Sequence, residues 1–147
     1  MNAVEQNPEA QNKPKLLVLD DNPAIVEILR EVGDDAGYQV STAKDQKEFE
    51  SLYPTFLPQV IFLDLGLNES EDDFGETGLE VIKFLSREKC RSKIFIISGM
   101  SRRKRELTTL QGQNMNLQVV GHIPKPFDIE DIERQLVRLR LTSLRTL

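Results

Sequence analysis

The sequence predicts an α/β fold: a doubly wound five-stranded parallel sheet with helices on both faces. Three observations carry this. Five short runs rich in Val, Ile, Leu or Phe, at 15–19, 38–42, 59–63, 93–97 and 118–122, are each bounded by polar residues. They lack strict polar–apolar alternation, which suits strands buried on both faces. Amphipathic helical patterns separate them, so strand and helix alternate along the chain, and right-handed crossovers place such strands in one parallel sheet.

The elements follow in order. Residues 1–14 are rich in Asn, Gln, Glu and Pro, with Val4 as the one large apolar side chain beyond Met1. They bury too little surface to offset their ordering entropy and read as a flexible tail before a single unit at 15–147. After the first strand, Asn22 is a natural N-cap and Pro23 fits the first helical position, with Ile25, Ile28, Leu29 and Val32 on one stripe. A weaker helix at 45–53 rests on Phe49 and Leu52 and is expected to stop at Pro54. A third follows Thr77-Gly78 with Leu79, Ile82 and Leu85 in register, and a fourth begins near Arg102 with Leu107 and Leu110. The fifth starts after Asp128 with Ile129, Ile132, Leu136 and Leu139. Its acids come early and its bases late, matching the helix dipole.

Composition narrows the function. Of 147 residues, 29% are charged and 39% hydrophobic, an ordinary globular balance. A net charge of −5 argues against a bulk electrostatic hold on nucleic acid. Cys90 and His122 are the sole residues of their types, which excludes an internal disulfide and a Cys/His zinc set. The longest apolar runs are four residues, too short to span a bilayer, and the first residues lack the pattern of a signal peptide. A cytoplasmic protein without nucleic-acid or membrane partners is the expectation.

In a doubly wound sheet, ligands bind outside the carboxyl ends of the strands. The first strand ends Leu19-Asp20-Asp21, the third Leu63-Asp64 and the fourth Ile97-Ser98-Gly99; the fifth is followed by Pro124-Lys125-Pro126. Three carboxylates, a hydroxyl and an ammonium can thus converge on one rim. Packed carboxylates repel one another unless a cation joins them, and hard oxygen ligands select Mg²⁺ or a similar ion. An aspartate beside Mg²⁺ can attack phosphorus, a lysine can offset phosphoryl charge, and Ser98 with the Gly99 N–H can donate to equatorial oxygens.

Asp20-Asp21, Asp64 after Val60-Ile61-Phe62-Leu63, Ser98, and Lys125-Pro126-Phe127 together resemble the response-regulator receiver domain, over roughly 15–141. The resemblance implies a flavodoxin-like (βα)5 sheet of order 2-1-3-4-5. It implies Asp64 as phosphoacceptor, with Asp21, Asp64 and the backbone carbonyl of Gly66 as direct Mg²⁺ ligands and Asp20 acting through metal-bound water. Ser98, Gly99, Lys125 and His122 would bind phosphoryl or switch, and Lys125-Pro126 would be a cis bond. The implied partners are a sensor histidine kinase or phosphotransfer protein, and an effector on the face of helix 4, strand 5 and helix 5. The implied role is phosphoacceptor signalling with slow self-dephosphorylation rather than enzymatic turnover.

Taken singly, Asp64 reads as a turn residue, Asp20 or Asp21 as a loop residue, Lys125 as a solvated lysine and Ser98 as a turn hydroxyl. Their joint occurrence at separate strand ends favours the site. Departures from the family pattern stand beside it. Gly78 follows Asp64 by fourteen residues, later than usual, and 67–76 includes Glu69, Glu71, Asp72, Asp73 and Glu76. That stretch reads as a solvated insertion or a partner-specific loop. His122 stands where the family usually has Tyr or Phe, and reads equally as a pH-dependent rotamer switch or a half-buried strand-end residue. Met100 and Gly66 stand where, in the family it resembles, side chains guard the acyl phosphate from water. Arg102-Arg103-Lys104-Arg105 opposes the dipole of the helix it opens and reads as a solvated face or a patch for an acidic partner.

Gly112 and the segment 117–127 are similar to receivers joined to EAL-type cyclic-di-GMP phosphodiesterase domains, but no output domain is expected within a sequence whose last residue is Leu147. Leu141, Leu144 and Leu147 suit a linker, a dimerising extension that would admit a homodimer, or cover for the sheet. Rival readings are a haloacid-dehalogenase-like phosphatase and an unphosphorylated pseudo-receiver or flavodoxin-like module. The first wants Asp-x-Asp after strand 1, where the acids here are adjacent; the complete acid–hydroxyl–lysine set opposes the second.

Overall fold

The structure is a computed structural model that describes residues 13–64, 76–98 and 111–145. The strands are β1 (Lys15–Leu19), β2 (Gln39–Ala43), β3 (Val60–Asp64), β4 (Lys93–Ser98) and β5 (Gln118–Pro124). The helices are α1 (Pro23–Asp35), α2 (Gln46–Phe56), α3 (Glu76–Arg87), the helical residues 111–114 (α4) and α5 (Ile129–Arg145). All strand pairs are parallel, in the order β2-β1-β3-β4-β5. The predicted doubly wound sheet and its strand order are therefore present. The flexible tail expected at 1–14 lies almost wholly outside the described residues; Pro14 already lends its carbonyl to the Gln39 N–H at 2.8 Å.

Alternation along each strand splits the core into two layers. Leu17, Leu19, Ile61, Leu63, Ile94, Ile96 and Val119 face α2 and α3, where Phe49, Tyr53, Val81, Ile82 and Leu85 meet them. Leu16, Val18, Val60, Phe62, Phe95, Ile97 and Ile123 face α1 and α5, against Leu29, Val32, Ile132 and Leu136. Tyr38 ties the second layer together: its hydroxyl donates to the Leu136 carbonyl at 2.6 Å, and burial pushes its phenol up to about 12 against the opposing Arg140 charge. β1 and β3 are buried almost throughout, as their unbroken apolar runs predict, whereas the edge strands β2 and β5 are only partly buried. The two-sided burial inferred for all five runs holds only for inner strands, because an edge strand is wetted along one side.

Several local expectations need correction. α2 does not stop at Pro54 but runs through it to Phe56. The helix needs Tyr53 on the buried face, and by Pro54 one turn remains, so a single backbone bond is forgone. Ile129 opens α5 but is exposed rather than on the core stripe; Asp128 caps there, accepting the Asp131 N–H at 3.2 Å, and turns the first residue outward. Leu141, on the same helix, is exposed too and does not cover the sheet. β3 includes Asp64, and β5 runs two residues beyond 122. β5 also carries a bulge: Ile94 pairs with Val119 but Phe95 with Gly121, so Val120 is an extra residue.

Candidate functional site

The site is built at the carboxyl ends of β1, β3 and β5. Asp20 leaves β1 with its N–H bonded to the Ala43 carbonyl at 3.1 Å, which continues the β1–β2 ladder one residue past the strand. Its Oδ1 accepts the Asn22 N–H at 2.9 Å, and Asn22 Oδ1 in turn accepts the Ala24 and Ile25 N–H groups at 2.9 and 3.4 Å. The N-cap of α1 and the orientation of Asp20 are thus one continuous arrangement. Asp20 is fully buried, Asp64 nearly so, and Asp21 exposed.

Lys125 reaches this rim from the residue after β5. Its Nζ donates to Asp64 Oδ2 at 3.0 Å and lies 3.4 Å from Asp20 Oδ2. The second contact lacks hydrogen-bond geometry, so the buried Asp20 Oδ2 accepts no hydrogen bond among the described residues. The Lys125–Pro126 peptide bond is cis.

Charge in the cluster is unbalanced. Burial pushes the Asp20 carboxyl up from 3.8 to about 6; the Asn22 N–H works against that rise, Asp64 adds to it, and Lys125 lowers it. Burial alone would lower the Lys125 ammonium, but the hydrogen bond and charge of Asp64, with the charge of Asp20, outweigh it and hold Lys125 above its ordinary value. Among the described residues, Lys125 is the cation in contact with this cluster, in which Asp20, Asp21 and Asp64 each offer an oxygen within 4.8 Å of the others. An all-oxygen donor set with an unsatisfied buried carboxylate oxygen fits a hard divalent cation such as Mg²⁺.

The remaining predicted residues divide. Ser98 closes β4 with Pro124 as its register partner, so its backbone stands at the same rim; its side chain lies outside the described residues. His122 sits half-buried in β5 opposite Ile96, on the α2/α3 side of the sheet. Gly66, Gly99, Met100, the acidic stretch 67–75 with the Glu76 side chain, and Arg102-Arg103-Lys104-Arg105 lie outside the described residues. Sequence reasoning missed the backbone partners of Asp20, namely Asn22 N–H and Ala43 C=O. The Asn-Pro cap was a visible sign of the first, and nothing in composition signals the second.

Fold and cluster together define a flavodoxin-like α/β module with an acid–lysine site at the carboxyl rim of its sheet. Residues 16–137 match the family model for the response regulator receiver domain, and the chain belongs to that family, whose general role is phosphorylation-based two-component signalling. It is 28% identical over 130 residues to the nitrogen assimilation regulatory protein NtrX of Azorhizobium caulinodans, covering 86% of this chain and 27% of that one. It is 26% identical over 125 residues to the transcriptional regulatory protein PhoP of Escherichia coli K12, covering 85% of this chain and 51% of that one. The chain thus spans about half or less of these relatives' lengths. Among solved structures, a response regulator from Colwellia psychrerythraea superposes with a TM-score of 0.75 at 20% identity, covering 88% of this chain and 98% of that one. The Francisella response regulator 1452 receiver domain gives 0.69 at 21% identity, covering 89% and 99%. Among the described residues, no helix is long and apolar enough to cross a membrane.

Proposed function

We propose that Asp64 is the phosphoacceptor of a cytoplasmic receiver unit spanning 15–147 behind a tail at 1–14, supplied by a sensor histidine kinase or a phosphotransfer protein. A carboxylate oxygen of Asp64 attacks the phosphorus of a phosphohistidine, the P–N bond breaks, and the imidazole leaves with the electron pair and takes a proton. The product is an acyl phosphate on Asp64. The observation that carries the reading is the 3.0 Å contact between Lys125 Nζ and Asp64 Oδ2, which puts a cation beside the oxygen that would bear the phosphoryl group.

Asp20, Asp21, Asp64 and the Gly66 carbonyl would hold Mg²⁺, which when bound supplies charge neutralisation at the carboxylates and the phosphoryl oxygens. The Asn22 N–H, donating to Asp20 Oδ1, orients that carboxylate. Lys125 passes from Asp64 to the new phosphoryl oxygens, and Ser98 and the Gly99 N–H turn toward the same group. The added charge, close to two units, gives those movements their electrostatic cause. They bias a two-state equilibrium that His122 reports along β5, presenting the α4, β5 and α5 face to an effector or to a second copy. One phosphoryl group is gained and slowly lost by hydrolysis, without turnover of a separate substrate.

The test is intact-mass spectrometry after incubation with acetyl phosphate and Mg²⁺. The parent protein gains one phosphoryl group and Asp64→Asn gains none; a labelled Asp64→Asn protein would move the acceptor elsewhere. Failure to bind a beryllium trifluoride mimic with Mg²⁺ would favour an unphosphorylated interaction module.

A further inference from the structure

The opposite end of the sheet carries a second feature. Residues 87–93, joining α3 to β4, read Arg-Glu-Lys-Cys-Arg-Ser-Lys: four cations and one acid in a chain of net charge −5. Arg87 lies in the last turn of α3, where a cation complements the helix dipole. Lys89, Arg91 and Lys93 lie beyond that turn and are not explained by it. Lys93 donates to Gln118 Oε1 at 3.2 Å, whereas Lys89 and Arg91 are exposed and make no ion pair among the described residues.

Lys89 and Arg91 border two adjoining depressions of about 540 and 690 Å³, which also share Gln118, and Lys93 and Glu88 line the first as well. Leu57, Pro58 and Leu139 contribute apolar wall to the first, and Met115 and Leu117 to the second. Leu57 is 64% exposed, the most open of the large hydrophobic side chains of the described chain. Backbone conformation sharpens the point. Leu57, Lys89 and Asn116 are the non-glycine residues with positive φ among those described, at 50°, 54° and 64°, and all three line this rim. Each follows a helix end, where glycine would adopt the left-handed conformation without steric cost. At Leu57 and Lys89 the rim instead gains an apolar and a cationic side chain. Neither is needed to close its helix, because backbone N–H groups do that: Leu57 N–H to the Tyr53 carbonyl, and Cys90 N–H to the Leu85 carbonyl.

We propose that this amino-terminal rim is a docking groove for an acidic, leucine-bearing segment of a partner protein. Glutamates or aspartates would meet Lys89 and Arg91, and the apolar side chains would lie against Leu57 and Leu139. The apolar wall and the near-complete burial of Tyr53, the one aromatic residue lining it, favour a peptide over a nucleic acid, which needs exposed aromatic platforms. The groove lies at the other end of the strands from Asp64, so occupancy leaves the acidic rim accessible. An acidic segment is also repelled from the carboxylate end and drawn to this one.

The test titrates the full chain with a fluorescein-labelled peptide of repeated Glu-Glu-Leu, reading anisotropy and backbone amide shifts. The expected result is saturable binding that weakens with salt, with shifts at Leu57, Lys89, Arg91 and Gln118. Lys89→Glu with Arg91→Glu should weaken binding about tenfold. Leu57→Gly should weaken it while leaving the protein at least as stable, since it relieves the left-handed leucine. Asp64→Asn should bind like the parent. The proposal is overturned by absence of saturable binding at low salt, by variants that bind unchanged, or by shifts centred on Asp64. It is equally overturned if a single-stranded oligonucleotide binds in preference to the peptide. Sedimentation showing self-association that the double reversal abolishes would make the occupant a second copy and overturn it too.

Discussion

Lys125 and Asp64 are 61 residues apart in sequence and 3.0 Å apart in space, joined across β4, which lies between their strands in the sheet. The lysine also neighbours Asp20 at 3.4 Å, so one ammonium moderates the repulsion between two buried carboxylates. That arrangement governs how the protein should respond when either sign of charge is removed.

Lys125→Ala removes the ammonium that lies against both Asp20 and Asp64. Breaking a buried pair costs about 3–5 kcal/mol, but partial exposure of the ammonium screens it, so a loss of about 1–3 kcal/mol is expected without Mg²⁺. Added Mg²⁺ should recover part of that loss. Urea unfolding with and without Mg²⁺ measures both, and an unchanged midpoint in chelator would reject the role. With the phosphate mimic bound, the variant should also fail to reproduce the parent's amide shift changes along β5.

Asp20 gives the pH dependence. Its folded value near 6 lies above the ordinary 3.8, so between those values the native state holds the proton more tightly than the unfolded chain. Its contribution is therefore fully present below pH 3.8 and lost as pH rises through 6, by roughly 3 kcal/mol at most. Asp20→Asn keeps an oxygen for the Asn22 N–H and removes the titration. In metal-free buffer it should be more stable than the parent at pH 7, with an advantage that shrinks toward pH 4. Denaturant midpoints across that range decide it; a constant gap would contradict the reading.

Gly33 lies inside α1, where alanine is ordinarily about 1 kcal/mol better. A Cβ there would stand 2.6 Å from Val40 Cγ2 and 2.9 Å from Leu16 Cδ2. Overpacking of about 1–3 kcal/mol exceeds the propensity gain, so Gly33→Ala should lower the thermal midpoint. A raised midpoint would show that β2 yields.

Pro54 sits inside α2, exposed, and withholds one helix N–H. Pro54→Ala should stabilise by about 1–2 kcal/mol, less than the full interior proline penalty because the helix ends two residues later and proline also restrains the unfolded chain. Guanidinium unfolding that shows no gain would mean the last turn is held by packing of Tyr53 alone.

The inner sheet was legible because β1 and β3 are apolar on both faces, and α1 because Asn22-Pro23 announces its start. The acid–lysine rim was legible because the chain order of strand ends fixes what can meet there. Other features depend on tertiary context. Nothing in Asp20-Asp21 says which carboxylate is buried; the Asn22 N–H and the ladder to Ala43 decide it. Pro54 reads as a stop, yet Tyr53 packing overrides it. Ile129 reads as core, yet the Asp128 cap turns it outward. The bulge at Val120 was marked only by Gly121, since a glycine inside a strand pattern often accompanies one.

That surplus residue sets the phase of everything after it. Val119 belongs to the α2/α3 layer and Ile123, four positions on, to the α1/α5 layer, although even spacing should keep both on one side. His122 consequently shares a side with Ile96. A related sequence lacking only that surplus residue would still set the counterparts of Val119, Gly121 and His122 opposite Ile94, Phe95 and Ile96, so its histidine would keep its side and its lysine its reach. The bulge thus uncouples the length of 118–124 from the acidic rim: a residue gained or lost at Val120 changes the alternation along the chain while every pair beyond it stays matched.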